Sequence, residues 1–430
     1  MVLNAYQPQY SKAAGEIITW IFKKSYHRRV YIMNTKLLKY ISFGLVMVIS
    51  IVLLLSIVMQ NSYNENNENS GNNGNSYNSI DLSFIDENIG WAVQSNGYAS
   101  DIVKTIDGGE NWLNISSYKG NIIKIFFIDT LDGWAITQSN TSKAVSYAFL
   151  KTEDGGKTFK VKYKKTFKSI SLVQMKHQTT DLIFFDKNSG YVMLSGKLLK
   201  TTDGGQKWST ITPNIPDFFV TEMCFINVDF GWVGGSVSIN KNVNGDAYNA
   251  HIYCTTDGGN KWLDQFQISS IYGYQKTHNY QINGISFIDN KYGWFLIEDI
   301  TDLHTELYRT VDGGKTYIAI NSNNLYLSGP DSSDIEFLDK DIGFISYKPG
   351  GGSTGGGIYK TDDGGISFNN VSNTSSNGNI VVSGDILFVT PSNGYVICPT
   401  LHDGDFIIKT TDQGSTWNKI FHWYPDNTWE

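Results

Sequence analysis

The sequence predicts an all-β protein, a seven-bladed propeller of four-stranded blades, preceded by one apolar N-terminal segment and a polar linker. Three observations predict it. A T-x-D-x-G-x-x-aromatic unit recurs seven times, a second glycine-aromatic unit precedes each copy, and the copies lie about fifty residues apart. Self-similarity at that period marks repeat architectures, and four short strands per repeat is the pattern of propeller blades.

The first copy runs Thr105-Ile106-Asp107-Gly108-Gly109-Glu110-Asn111-Trp112. The others centre on Asp154, Asp203, Asp257, Asp312, Asp363 and Asp412, giving spacings of 47, 49, 54, 55, 51 and 49 residues. Their closing aromatics are Phe159, Trp208, Trp262, Tyr317, Phe368 and Trp417. The preceding unit is apolar-x-Phe-x-Asp-x-x-x-Gly-aromatic, with pairs from Gly90-Trp91 to Gly394-Tyr395. In the first repeat Ile80, Leu82 and Phe84 alternate with polar residues, which predicts a half-buried first strand. A tight turn over 86–90 leads to a second strand at Trp91-Ala92-Val93, a third at 102–105, and a fourth at 112–115 after the D-G-G turn. The turn chemistry is structural. An Asp carboxylate accepts backbone N–H groups that lack a strand partner, and Gly supplies positive φ. Calcium loops would need several converging carboxylates per turn, and most copies offer one.

With these residues in place, the repeats resemble Asp-box, or bacterial neuraminidase, repeats over 79–430. These occur in sialidases, xyloglucanase-type glycosidases, sortilin-type receptors and the photosystem II assembly-factor family. The pairing of F-x-D-x-x-x-G-W with K-T-x-D-G-G-x-x-W is most similar to the last. That resemblance implies a propeller and, for the assembly-factor family, a protein client. One fold hosts many sites, so it implies no particular ligand.

Domain organisation follows. Residues 1–39 form a basic N-terminus. Tyr40–Met59 has no charged residue, long enough as a helix to span a bilayer, so 40–60 is expected to be a signal-anchor. Lysines and arginines before it place the remainder outside the cytoplasm, at a bacterial cell membrane. Arg28-Arg29 just upstream of Met33 suggests that translation starts at Met33 and that 1–32 is a mis-called extension. Residues 61–78 hold nine Asn and no aliphatic residue, a flexible tether. The propeller occupies 79–430.

Net charge is −7, arguing against nucleic acid as partner. Arginine occurs only at 28, 29 and 309, and Arg309 adjoins an Asp box, so the three-arginine carboxylate clamp of sialidases has no counterpart. Cys224, Cys254 and Cys398 are too far apart to pair and read as free thiols.

Turns between strands one and two and between three and four share one face with the boxes; they are short and uniform. All length variation lies on the other face, where function is expected. Candidate ligand-binding residues on that face are Tyr272, Tyr274, His278, Tyr280, Glu298, Asp299 and Asp302. Further stretches are the lysine-rich 157–176, with seven lysines and no acid, the glycine-rich 349–357, which lacks a phosphate-loop lysine, and His402, Asp403 and Asp405. No catalytic residue, metal or cofactor is expected. The sequence thus predicts a monomeric, membrane-anchored scaffold binding an envelope protein or glycan, with a non-sialidase glycoside hydrolase as the alternative. Two carboxylates facing each other across the variable-face funnel would favour the hydrolase; a broad aromatic patch would favour the binder.

Overall fold

The computed structural model describes residues 79–141, 144–168, 180–240, 247–268, 271–272, 276–302, 304–320, 333–347, 357–372, 385–398 and 406–422. The apolar segment 40–59, the Asn-rich linker, Tyr274, 349–356 and 401–405 lie outside them, as does the lysine-rich stretch beyond Lys168.

Seven four-stranded antiparallel sheets follow one another, each with its strands in chain order. Blade 1 is Ser79–Phe84, Gly90–Ser95, Ser100–Thr105 and Leu113–Tyr118; blades 2 to 6 open with Ile122–Phe127, Asp181–Phe184, Phe218–Phe225, Tyr280–Phe287 and Ser333–Phe337, and blade 7 opens with Ile386–Phe388 and ends with Phe406–Thr410 and Asn418–His422. A two-stranded ribbon, Ile271–Tyr272 with Lys276–Thr277, stands outside the blades. Strand one of each blade is innermost, packing on strand one of the next in pairs such as Ser79–Phe84 with Ile122–Phe127.

One aromatic pair is repeated at every blade junction. The aromatic after the conserved Gly stacks on the strand-one Phe of the next blade: Trp91 on Phe127 (3.9 Å between ring centres), Trp134 on Phe184, Tyr191 on Phe225, Trp232 on Phe287, Trp294 on Phe337 and Phe344 on Phe388. The glycine is obligatory because a Cβ there would stand 2.1–2.7 Å from the ring of its own blade's Phe. Such stacked, fully buried rings contribute beyond their area. The seventh stack, Tyr395 on Phe84 at 4.0 Å, closes the ring. No strand is exchanged at that seam: blade 7 ends on its own fourth strand. Side chains join the two ends. Lys409 Nζ donates to Gly108 O at 2.7 Å, Tyr395 OH donates to the same carbonyl, and Phe421 meets Trp112. Phe421 is buried in that cluster.

The T-x-D turns share one geometry in all seven copies. Thr105 Oγ1 donates to Asp107 Oδ1 and accepts the Gly109 N–H, while Asp107 Oδ1 also accepts the Asn111 N–H. The same three bonds recur from Thr152/Asp154 to Thr410/Asp412. All seven threonines are at most 1% exposed. The residue before the threonine reaches the neighbouring turn: Lys200 donates to Gly258 O, and Arg309 to Lys340 O. Arg309 lies over the Trp294 ring, on the face of the turns as the sequence implied.

Candidate functional site: the channel mouth and the blade 5 rim

The polar residues of strand one, expected to face open solvent, face the central channel. Aligned on the strand-one phenylalanines, the third residue before each Phe forms a ring: Asp81, Lys124, Asp181, Glu222, Gly284, Asp334 and Asp385. It holds five carboxyls, one ammonium and one gap. The gap has a steric cause, since a Cβ on Gly284 would lie 2.7 Å from the Ile335 side chain.

Several of these side chains tie one inner strand to the next. Asp81 Oδ2 accepts the Ile125 N–H at 2.6 Å and Ser83 Oγ accepts the Phe127 N–H. Asp334 Oδ2 accepts the Ile386 N–H and Glu336 Oε2 the Phe388 N–H. Cys224 Sγ accepts the Phe287 N–H, and Ser286 Oγ the Phe337 N–H. Inner strands of adjacent blades share no ladder, so side chains satisfy backbone groups that would otherwise stay unpaired. Lys124 joins the first and last blades, 3.2 Å from Asp81 Oδ1 and 3.1 Å from Asp385 Oδ2.

Crowding carboxyls in a narrow, partly dry channel disfavours their charge. Burial pushes Asp81 up to about 6 against the pull of Lys124. Burial, then the charge of Asp385, takes Asp334 to about 7; burial and Asp334 take Glu336 to about 8. Asp181 is raised by burial. Glu222 is raised well above the usual carboxyl range by burial and by the fields of Asp334, Asp181 and Asp385. It makes no hydrogen bond among the described residues. Burial pulls Lys124 down, but Asp81, Asp385 and Asp181 outweigh it and hold the ammonium well above its ordinary value.

At blade 5 the sequence candidates divide. Tyr280, Asp299 and His304 are register partners on adjacent strands, so they share one side of the sheet. His278 Nδ1 lies 2.5 Å from Asp299 Oδ2 and 3.5 Å from Asp302 Oδ2, and its ring stacks on Tyr280. Asp299 Oδ1 accepts the Thr301 N–H, shaping the turn that brings Asp302 round. Ligand atoms of His278, Asp299 and Asp302 fall within 4.8 Å of one another, a spacing a divalent cation could bridge; the His–Asp contact is also satisfied as a simple ion pair.

Glu298 stands apart from that group. It is fully buried and points to the other side of the strand, where Gln281 Nε2 and Asn283 Nδ2 donate to its Oε2. Asn283 is the residue inserted by a bulge between Ile282 and Gly284. Tyr272 lies in the short ribbon, and Tyr274 lies outside the described residues. The channel ring is what residue-by-residue reading of the variable loops missed, although its signal was present three residues before each strand-one Phe.

Fold and site together define a seven-bladed propeller with a carboxyl-lined channel. No family model matches the chain, and no curated protein matches it. Its fold is similar to solved propellers. One is a GH74 xyloglucanase from Xanthomonas campestris (11% identity, TM-score 0.47, 79% of this chain and 60% of that one). Others are a GH93 α-L-arabinofuranosidase of Fusarium graminearum (11%, 0.42, 76% and 90%) and a Hadza microbial sialidase (11%, 0.39, 79% and 64%). At these identities the likeness is one of fold.

Proposed function

We propose that the chain is a membrane-anchored, extracytoplasmic propeller that acts as a non-catalytic binding scaffold, holding an envelope protein or glycan at the channel mouth and the adjoining blade 5 rim. One observation carries this reading. The box face repeats one geometry seven times, whereas the seven equivalent ring positions have diverged to five carboxyls, a lysine and a glycine. Most of the ring is committed to fixed contacts: Asp81, Asp181 and Asp334 accept backbone N–H groups, and Lys124 bridges Asp81 and Asp385. A fixed polar surface suits recognition. The anchor at Tyr40–Met59 and the likeness of the repeats to assembly-factor propellers support the same reading.

Glu222 favours a second reading, hydrolysis of a polysaccharide. Burial and the fields of Asp334, Asp181 and Asp385 push its carboxyl well above the usual range, its side chain has no hydrogen-bond partner among the described residues, and it shares the ring with the exposed carboxyl of Asp385. A general acid needs a carboxyl raised in this way.

One experiment separates them. The full chain, solubilised in neutral detergent, is incubated with envelope proteins and with cell-wall and plant polysaccharides, measuring retention and release of reducing ends. The scaffold reading expects retention without release, weakened by Asp299→Asn/Asp302→Asn. Release of reducing ends that disappears in Glu222→Gln would replace it with the hydrolase.

A further inference from the structure

The outer strand of blade 2, Lys160–Lys168, differs from every other outer strand. It is nine residues long, whereas the others have two to six. It carries Lys160, Lys162, Lys164, Lys165 and Lys168, and Lys157 precedes it at the turn. The other six outer strands together hold one lysine, Lys419.

Lysine on an edge strand ordinarily discourages pairing with another chain. That need is common to all seven blades, and six meet it without a lysine row. The concentration on blade 2 therefore asks for another account. Its charges are also not neutralised. Among the described residues, Lys157, Lys160, Lys162, Lys164 and Lys165 make no ion pair. The paired inner strand Ala144–Thr152 contains no acid. The carboxylates of the turn that leads into the strand are engaged: Glu153 faces Lys151, and Asp154 takes the Thr158 N–H and hydroxyl. Elsewhere Lys124, Lys151, Lys187, Lys340 and Lys360 are ion-paired, and lysines that are not, such as Lys207, Lys261 and Lys315, stand singly rather than in a row. All this occurs in a chain of net charge −7.

We propose that this strand is a docking strip for a linear polyanion, recognised by charge density along its length. The shape favours a line over a plane. Nine extended residues span about 30 Å, one strand wide, and the outer strands of blades 1 and 3 carry no lysine to widen it. Residue type favours charge density over the geometry of individual groups, since lysine is a compact point charge without arginine's bidentate fork. The Phe167 ring lies beneath Lys165 on one side of the strand, and Val161, about half exposed, lies on the other, so each side has some apolar surface beside the charges. The strip is independent of the channel and stands whether or not the channel binds a ligand.

The test uses the full chain in neutral detergent with two probes, inorganic polyphosphate and poly-glutamate, titrated across a range of salt. Both are expected to bind, with affinity falling steeply as salt rises. Lys160→Gln/Lys162→Gln/Lys164→Gln/Lys165→Gln is expected to bind at least ~30-fold more weakly and to lower the slope of log affinity against log salt by roughly 3, at about 0.7 per charge removed. Lys157→Gln/Lys160→Gln/Lys164→Gln, confined to exposed side chains, should keep the melting temperature and lose roughly three quarters as much slope. Lys197→Gln/Lys207→Gln/Lys261→Gln/Lys315→Gln, which removes four charges elsewhere, should leave affinity within about twofold. Unchanged affinity in both strip variants, or an equal loss in the control, would overturn the proposal. So would tighter binding to vesicles of anionic lipid than to either polymer, which would make the strip a membrane contact.

Discussion

The two ends of the inner strands contrast. At the phenylalanine end, seven stacks, seven glycines and seven Thr–Asp turns repeat nearly atom for atom. About ten ångströms along the same strands, the ring position holds Asp, Lys, Asp, Glu, Gly, Asp and Asp. Both ends are made by the same seven strands, so topology does not explain the difference. Repetition is what a closed ring demands where blades meet, because each junction solves one packing problem. Divergence where packing does not demand it leaves room for a site. The chemistry differs as well. Turn carboxylates are stabilised in the charged form, as with Asp312, held down to about 2 by the Thr316 N–H and hydroxyl. The ring carboxyls of Asp81, Asp181, Glu222 and Asp334 are pushed the other way.

Substitutions can sharpen this contrast. The largest effect belongs to a repeated stack: Trp294→Ala, which empties a fully buried site against Phe337, should cost about 3–5 kcal/mol of unfolding free energy in a urea titration. Lys124→Met comes next. It leaves Asp81, 4% exposed, without its counter-charge and should cost about 3 kcal/mol, the low end for a broken buried pair because Lys124 keeps some solvent. Thr310→Val removes the hydroxyl that serves both Asp312 and the Gly314 N–H, and should cost about 1–3 kcal/mol. The same change at Thr105 or Thr410 should cost a similar amount, since the geometry is shared. A spread of several-fold would show that the turns are not equivalent.

Acidity separates the two ends with opposite signs. A turn aspartate has a lower pKa folded than unfolded, so its contribution is present above its ordinary 3.8 and is lost as pH falls through about 2. Asp81 and Asp334 of the ring, and Glu336 two residues beyond Asp334, have higher pKa values folded than unfolded, so stability declines as pH rises from about 4, through their values near 6, 7 and 8. The denaturation midpoint should therefore peak in mild acid and fall toward pH 8, and Asp334→Asn/Glu336→Gln should flatten the fall. A midpoint that rises from pH 4 to 8 would mean the ring is not crowded as described.

The repeated end was legible in the sequence because its constraints are local. Gly-Trp, F-x-D and T-x-D-G-G each sit within a few residues, and their spacing alone counts the blades. The ring was not legible, for a physical reason. Asp81 and Ser83 alternate with Ile80, Leu82 and Phe84, a pattern that reads as one wet and one dry face; only ring closure turns the wet face into a shared channel, where both are buried. His278, Asp299 and Asp302 are candidates from two separate stretches of the sequence, and the structure brings them together. Glu298 stood out equally and does not join them, because adjacent strand residues face opposite ways. Trp294, Leu296 and Glu298 share the side toward blade 6, which parity counted from Gly293-Trp294 would have shown.

The central claim is that the repeated face supports and the divergent face binds. Its most direct test measures two quantities, urea stability and retention on the envelope fraction, for Asp312→Asn and for Asp299→Asn/Asp302→Asn. The account predicts that Asp312→Asn unfolds at lower urea and keeps its ligand, while the double variant keeps its stability and loses retention. Retention lost in Asp312→Asn without loss of stability, with the double variant unaffected, would contradict it.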